Sequence, residues 1–280
     1  PPPHPSIPSS PPNTDHQLNP DPPLMYSLNG KEINMRPDGR DPDQIRPVTI
    51  EPDFIRYAEG SVLWRAGDTV VLCNVSYDAK TAPFLRGSGE GWVTAEYAML
   101  PRSTDTRSDR RPSGRSKEIQ RLVGRSLRAA VQRDLMGECS LIVDCDVLQA
   151  DGSTRTASVS GGWVALTLAL ARLQEQGVLS QWPLVNQVAA VAVGMLDSEA
   201  RADLDYGEDL DCDVDLNLVF TADGRLVEAQ GTAEGRPFTR AQLDAMLDVG
   251  WQGAQQVLAA QRSVVEPRLA ELGLALPSEA

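Results

Sequence analysis

Apolar positions along this chain recur with two periods, and the places where one period gives way to the other predict its elements. Residues 48–50, 60–64 and 69–77 read as strands, the last rich in β-branched side chains. Gly67-Asp68 supplies a hairpin turn between the second and third of them. Arg86-Gly87-Ser88-Gly89-Glu90-Gly91 reads as a glycine-rich loop and residues 92–100 as a strand. Between 115 and 136 the spacing becomes helical, with Ile119, Leu122, Val123, Leu127, Ala130, Val131 and Leu135 on one face. Arg121, Arg125 and Arg128 form a separate stripe that faces solvent or a partner. Residues 141–148 read as a strand, 160–176 as a largely buried helix, and 188–196 and 214–220 as strands. Residues 225–230 pair with the last of these across an Asp223-Gly224 turn. A final helix starts at Thr239, where Gln242 three residues on completes a capping box. Strands and helices alternate unevenly, which predicts an α+β (mixed α/β) class.

Two stretches interrupt this pattern with chemistry. Asp151-Gly152-Ser153-Thr154-Arg155-Thr156 lies between a strand and a helix start. Free backbone N–H groups at the positive end of a helix, with two hydroxyls and a guanidinium beside them, suit a phosphate oxyanion. An N-cap turn with a solvated Arg has the same sequence. Further on, Glu208-Asp209-Leu210-Asp211-Cys212-Asp213-Val214-Asp215-Leu216 alternates acid with apolar residue, so one continuous strand would put Asp209, Asp211, Asp213 and Asp215 on one face. Such a row needs a counter-charge, either a divalent cation or arginines, or else it is a solvated edge defended by charge.

Composition narrows the choices. The net charge of −13 conceals a segregation. Between 102 and 133 the bases Arg102, Arg107, Arg110, Arg111, Arg115, Lys117, Arg121, Arg125, Arg128 and Arg133 face only Asp105, Asp109 and Glu118. Between 197 and 215 Arg201 alone opposes nine acids. The local field, not the sum, decides whether a polyanion binds. The only histidines, His4 and His16, lie in a Pro-rich leader spanning residues 1–34 that reads as disordered or polyproline. The body thus has no Ser–His–Asp or Cys–His nucleophile and no His-ligated zinc. Cys73, Cys139, Cys145 and Cys212 are scattered and read as free thiols of a cytoplasmic protein. No uninterrupted apolar run of ~18 residues predicts a membrane span, and no secretory leader pattern opens the chain. Residues 263–280 read as a tail that is helical in part.

Longer motifs carry a resemblance. Arg36-Pro37-Asp38-Gly39-Arg40, Gly91-Trp92-Val93-Thr94-Ala95-Glu96-Tyr97, Met99-Leu100-Pro101-Arg102-Ser103-Thr104, Asp144-Cys145-Asp146-Val147-Leu148-Gln149-Ala150-Asp151-Gly152 and Gln230-Gly231-Thr232-Ala233-Glu234-Gly235 resemble bacterial ribonuclease PH. The likeness covers residues 35–262 as one catalytic domain. It implies the ribonuclease PH fold, ribosomal protein S5 domain 2-like. It implies a phosphate-dependent 3′→5′ exoribonuclease, a tRNA nucleotidyltransferase that trims tRNA precursors and rRNA and releases nucleoside diphosphates. Arg115, Ser153, Thr154 and Arg155 would bind inorganic phosphate, with Ser153 standing where the family has Gly. Asp209 and Asp215 would be catalytic and hold Mg²⁺ or Mn²⁺, and Asp211 and Asp213 match no family motif. Arg102, Arg107, Arg110 and Arg111 would bind RNA, and the assembly would be a homohexamer, a trimer of dimers, with no membrane partner. Two other readings remain at this stage: an inactive RNA-binding ring subunit, and a metal-dependent hydrolytic nuclease.

Overall fold

A computed structural model describes residues 36–277. The Pro-rich leader with both histidines, and the boundary expected at 34, lie outside the described residues. Residues 1–39 and 40–280 are separate units. The described part of the first is a turn, closed by Gly39 N–H donating to the Arg36 carbonyl at 2.9 Å with Gly39 at φ +78°.

The second unit holds two sheets. The first comprises β1 (Val48–Pro52), β2 (Gly60–Ala66), β3 (Thr69–Asp78), β4 (Trp92–Met99) and β5 (Ser140–Gln149), in the order β1-β2-β3-β5-β4. Only β4 runs parallel to its neighbour, because the helix α1 (Gly114–Arg128) makes the crossover to β5. The second sheet has the order β7-β6-β8-β9, all antiparallel, from β6 (Val188–Leu196), β7 (Glu199–Ala202), β8 (Val214–Thr221) and β9 (Leu226–Ala233). Between the sheets in sequence comes α2 (Thr154–Glu175); α3 (Tyr206–Asp211) and α4 (Arg240–Glu271) complete the unit.

The helix α2 is apolar all round because it packs against strands of both sheets and against α1 and α4. It is long and apolar enough to span a bilayer by composition, but its apolar surface is buried inside the fold. Glycine makes the close approach possible: a Cβ on Gly161 would stand 3.0 Å from Cys73 Sγ and 3.1 Å from Trp64 Cβ.

Three expectations need correction. The helix expected over 115–136 stops at Arg128. The segment 183–186 captures its end: Val185 N–H donates to the Ala130 carbonyl at 2.8 Å, and Asn186 Nδ2 to the Ala129 carbonyl at 2.8 Å. The apolar periodicity persists past this point because Val131 and Met136 stay in the core. The strand β7 was not anticipated. It folds back on β6 through Asp197 and Ser198, both at positive φ, a primed-turn geometry without the glycine that usually signals it. The acidic stretch is broken rather than one strand. Asp205 and Glu208 form a capping box that starts α3, and β8 begins only at Val214. Leu210, which a continuous strand would turn to the face opposite the acids, is therefore 65% exposed. The last helix, α4, extends to Glu271, with Val265 and Leu269 on its buried face.

Candidate active site

The turn after β5 and the helix α3 are joined by one close contact. Gly152, at φ +70°, has no room for a side chain: a Cβ there would lie 2.4 Å from the Leu204 carbonyl oxygen and 2.7 Å from the Asp205 carbonyl carbon. Ser153 follows at φ +53°, in left-handed backbone that costs a non-glycine residue about 1 kcal/mol or more. Its hydroxyl donates to the Leu204 carbonyl at 3.0 Å, and Tyr206 N–H donates to Asp151 Oδ1 at 3.3 Å. From the other side Thr69 Oγ1 donates to the Gly152 carbonyl at 2.8 Å and accepts from Asp151 N–H at 3.0 Å.

An ion pair holds the joint. Arg46 grips Asp203 through Nη2 at 2.7 Å, Nε at 2.9 Å and its backbone N–H at 2.8 Å, and its Nη1 donates to the Asp151 carbonyl. Arg40 Nη1 adds a bond to the Asp203 carbonyl at 2.9 Å. Burial pushes the Asp203 carboxyl upward, but the Arg46 hydrogen bonds and charge outweigh it and leave the group below the ordinary carboxylate range.

These anchors bring the sequence-selected residues to one cleft of about 600 Å³. Arg115, Ser153, Thr154, Arg155, Asp209 and Asp215 all line it. Ser153 and Thr154 open α2, whose first-turn N–H groups have no acceptor within the helix. The Ser153 hydroxyl is engaged with Leu204, so this residue offers its backbone to the cleft. Thr154 Oγ1 lies 3.0 Å from the hydroxyl of Tyr97, a buried residue that sequence reasoning passed over. Burial pushes the Tyr97 hydroxyl above its usual range; the Thr154 bond and the charges of Arg115 and Arg155 oppose that rise.

Arg155 is held from behind. Its Nη1 donates to Gln230 Oε1 at 3.3 Å and lies 3.5 Å from Glu118 Oε1, while Gln230 Nε2 donates to the same Glu118 oxygen at 3.1 Å. Neither partner was singled out for this role from the sequence, since 118 and 230 approach only in the fold.

The two acids are the opposite pole. Burial raises the Asp215 carboxyl, and the neighbouring Asp209 raises it further; Arg155 and the Asn217 amide, at 3.2 Å, pull it back. Burial likewise raises Asp209, opposed by Arg115 and Arg155 and reinforced by Glu234. Beside them burial and both acid charges push the Cys212 thiol up to about 12, so it is no thiolate nucleophile at neutral pH. Asp211 and Asp213 do not line the cleft. Among the described residues no group of three or more His, Cys, Asp or Glu side chains is arranged to hold a metal ion. A Mg²⁺ or Mn²⁺ ion needs fewer, since such ions keep several waters and take one or two carboxylates plus phosphate oxygens. The pair Asp209 and Asp215 fits that demand.

The basic loop lies at the rim. Arg102, Arg107, Arg110 and Arg111 are exposed on the connection from β4 to α1, and Thr104 and Thr106 of this loop reach the cleft while the four arginines do not line it. The expected arginine stripe of α1 is divided. Arg121 is exposed, Arg125 binds Glu228 of β9 at 2.6 and 2.7 Å, and Arg128 stacks over Trp92 at 4.3 Å.

Comparisons with known proteins agree with one another. A model of the 3′ exoribonuclease family, domain 1, matches residues 44–171, and a model of its domain 2 matches residues 186–253. The curated protein Ribonuclease PH of Syntrophomonas wolfei is 51% identical over 235 residues, 82% of this chain and 98% of that one. Ribonuclease PH of Moorella thermoacetica is 51% identical over 236 residues, covering 82% and 94%. Among solved structures, the Archaeoglobus fulgidus exosome with RNA bound to the active site superimposes with a TM-score of 0.69 at 26% identity, over 80% of this chain and 91% of that one.

Proposed function

The chain belongs to the 3′ exoribonuclease family and is a phosphorolytic 3′→5′ exoribonuclease that uses inorganic phosphate as co-substrate, and from this premise we propose that the cleft between the α2 N-terminus and α3 is where the reaction occurs. One observation carries the assignment: a cationic wall and an acidic wall, far apart in sequence, face one volume, and no histidine is needed. Arg115, Arg155, the first-turn N–H groups of α2 and the Thr154 hydroxyl hold the attacking phosphate. A phosphate oxygen attacks the phosphorus of the last phosphodiester. The bond from that phosphorus to the 3′-oxygen of the preceding nucleotide breaks, the 3′-oxygen takes a proton, and the terminal residue leaves as a nucleoside diphosphate. Such a transfer needs positioning and charge stabilisation more than covalent help. Asp209 and Asp215 would hold Mg²⁺ or Mn²⁺, which would supply charge neutralisation at the reacting oxygens when bound.

The substrates are tRNA precursors and other RNA 3′ ends, guided by the rim arginines Arg102, Arg107, Arg110 and Arg111 through backbone phosphates. The homohexamer is part of the same reading. The edge strand β9, exposed along most of its length, supports assembly, since an open edge is a surface a partner covers. Four buried free thiols support a reducing compartment, the cytoplasm. The catalytic domain comprises the two sheets with α1 to α4.

A tRNA with extra 3′ nucleotides, incubated with and without phosphate, tests the assignment. Diphosphate products that require phosphate are expected. Monophosphates in phosphate-free buffer would make the cleft hydrolytic, and bound RNA without products would make it a scaffold.

A further inference from the structure

The helix α3 turns one face into the cleft, and only part of that face is charged. Tyr206, Asp209 and Leu210 stand at i, i+3 and i+4, the spacing that puts side chains together on a helix, and all three line the cleft. Asp209 belongs to the acidic pole. The other two are large apolar side chains left open: Tyr206 is 56% exposed and Leu210 65% exposed. A single exposed leucine needs no account, but an aromatic ring and an isobutyl group side by side at the mouth of a charged cleft form a small apolar wall. The wall is held in place. The Tyr206 N–H is bonded to Asp151, the Asp205–Glu208 capping box fixes the first turn, and the glycine contact at 152 presses this segment against the phosphate turn.

A nucleotide is itself divided in this way, with a charged phosphate at one end and a flat apolar base at the other. We propose that Tyr206 and Leu210 form the seat for the base of the 3′-terminal nucleotide, the ring stacking on it and the leucine closing one edge. The proposal rests on the phosphorolytic reading of the cleft and adds to it how the terminal residue is held. Stacking on a ring accepts every base, because each has a π-face, so this seat positions without selecting sequence. It also explains why apolar surface stands beside carboxylates that repel one another: the two walls hold different ends of one residue. Tyr206 and Leu210 are thus positioning residues, not members of the reacting set.

The test compares an RNA oligomer with an intact 3′-terminal nucleotide and the same oligomer with an abasic one, in the full-length enzyme with saturating phosphate. The wild-type enzyme has a KM about tenfold higher for the abasic oligomer, the size of one base–aromatic stack. Tyr206→Ala raises the KM for intact RNA by a similar factor and no longer distinguishes the two oligomers. Tyr206→Phe behaves as wild type, and the KM for phosphate stays unchanged in every variant. Leu210→Ser, a second variant at a more exposed position, shows a smaller loss of the same discrimination and covers the case in which the alanine variant does not fold. A wild-type enzyme indifferent to the terminal base, or a Tyr206→Ala enzyme that still discriminates, overturns the seat while diphosphate release leaves the phosphorolytic reading standing. Absence of phosphate-dependent diphosphates in the wild type overturns both.

Discussion

Asp203 and the pair Asp209 and Asp215 come from one acidic stretch, yet the fold treats them in opposite ways. Asp203 is buried and fully engaged: Arg46 meets its carboxylate through Nε, Nη2 and the backbone N–H, Arg40 bonds both its carbonyl and its carboxylate, and its proton affinity falls. Asp215 is half-buried and Asp209 exposed at the same cleft, which Arg115 and Arg155 also line, and the proton affinity of both acids rises. The first arrangement uses its electrostatics to join the turn after β5 to α3. The second leaves an unmet demand for positive charge, and a site that binds a cation or a charged transition state needs such a demand. Acidity alone therefore does not distinguish the two sites; the degree to which the surrounding structure has already answered it does.

The sharpest break in this comparison is Asp215→Asn. Phosphorolysis should fall by at least about a thousandfold, on the scale of losing a charge-stabilising group. The melting temperature should hold or rise, because the raised Asp215 carboxyl costs stability in its ionised form. A fall in melting temperature with activity retained would make Asp215 the structural acid. Asp203→Asn should do the reverse. It leaves Arg46 buried and underpaired, and should destabilise the fold by about 3–5 kcal/mol in urea titration. Its effect on the activity of the molecules that remain folded should be small by comparison.

Arg155→Ala should reduce kcat/KM for phosphate by on the order of a hundredfold, and Gln230→Ala by about tenfold, since Gln230 acts only by holding the guanidinium. A Gln230→Ala effect confined to the RNA KM would remove it from the Arg155 clamp.

A pH series separates the two acid sites most finely. Asp203 is depressed in the folded state, so its stabilisation is present above the ordinary carboxylate pKa and is lost as pH falls through its lowered value. Asp209 and Asp215 are raised, so they bind protons before an ordinary carboxylate does, and their protonation favours the fold while removing the charge the reaction needs. Activity should therefore fade at a higher pH than the circular dichroism signal. Coincident loss of both would show that the two sites titrate together.

Much of the architecture was readable from local rules. The strand β6 matches its expected bounds, the turns at Gly67-Asp68 and Asp223-Gly224 join the strands they were expected to join, and Thr239 caps α4 as its spacing foretold. Each of these depends on neighbours within a few residues, and so does the Gly-Ser-Thr turn that opens α2. One error arose where a distant segment competed, the other where one local signal overrode another. Residues 183–186 captured the end of α1, and the capping box of Asp205-Tyr206-Gly207-Glu208, visible in retrospect, prevailed over an alternation that suggested a strand. The candidate site residues could be named from motifs and resemblance, but their meeting in one cleft, the Glu118–Gln230 support of Arg155, the Tyr97–Thr154 bond and the apolar face of α3 came only with tertiary structure. The physical reason is range: periodicity, capping and turn chemistry act between residues close in the chain, whereas the joint between Gly152 and Leu204, and the division of one acidic run into an answered and an unanswered half, depend on which distant groups the fold places alongside.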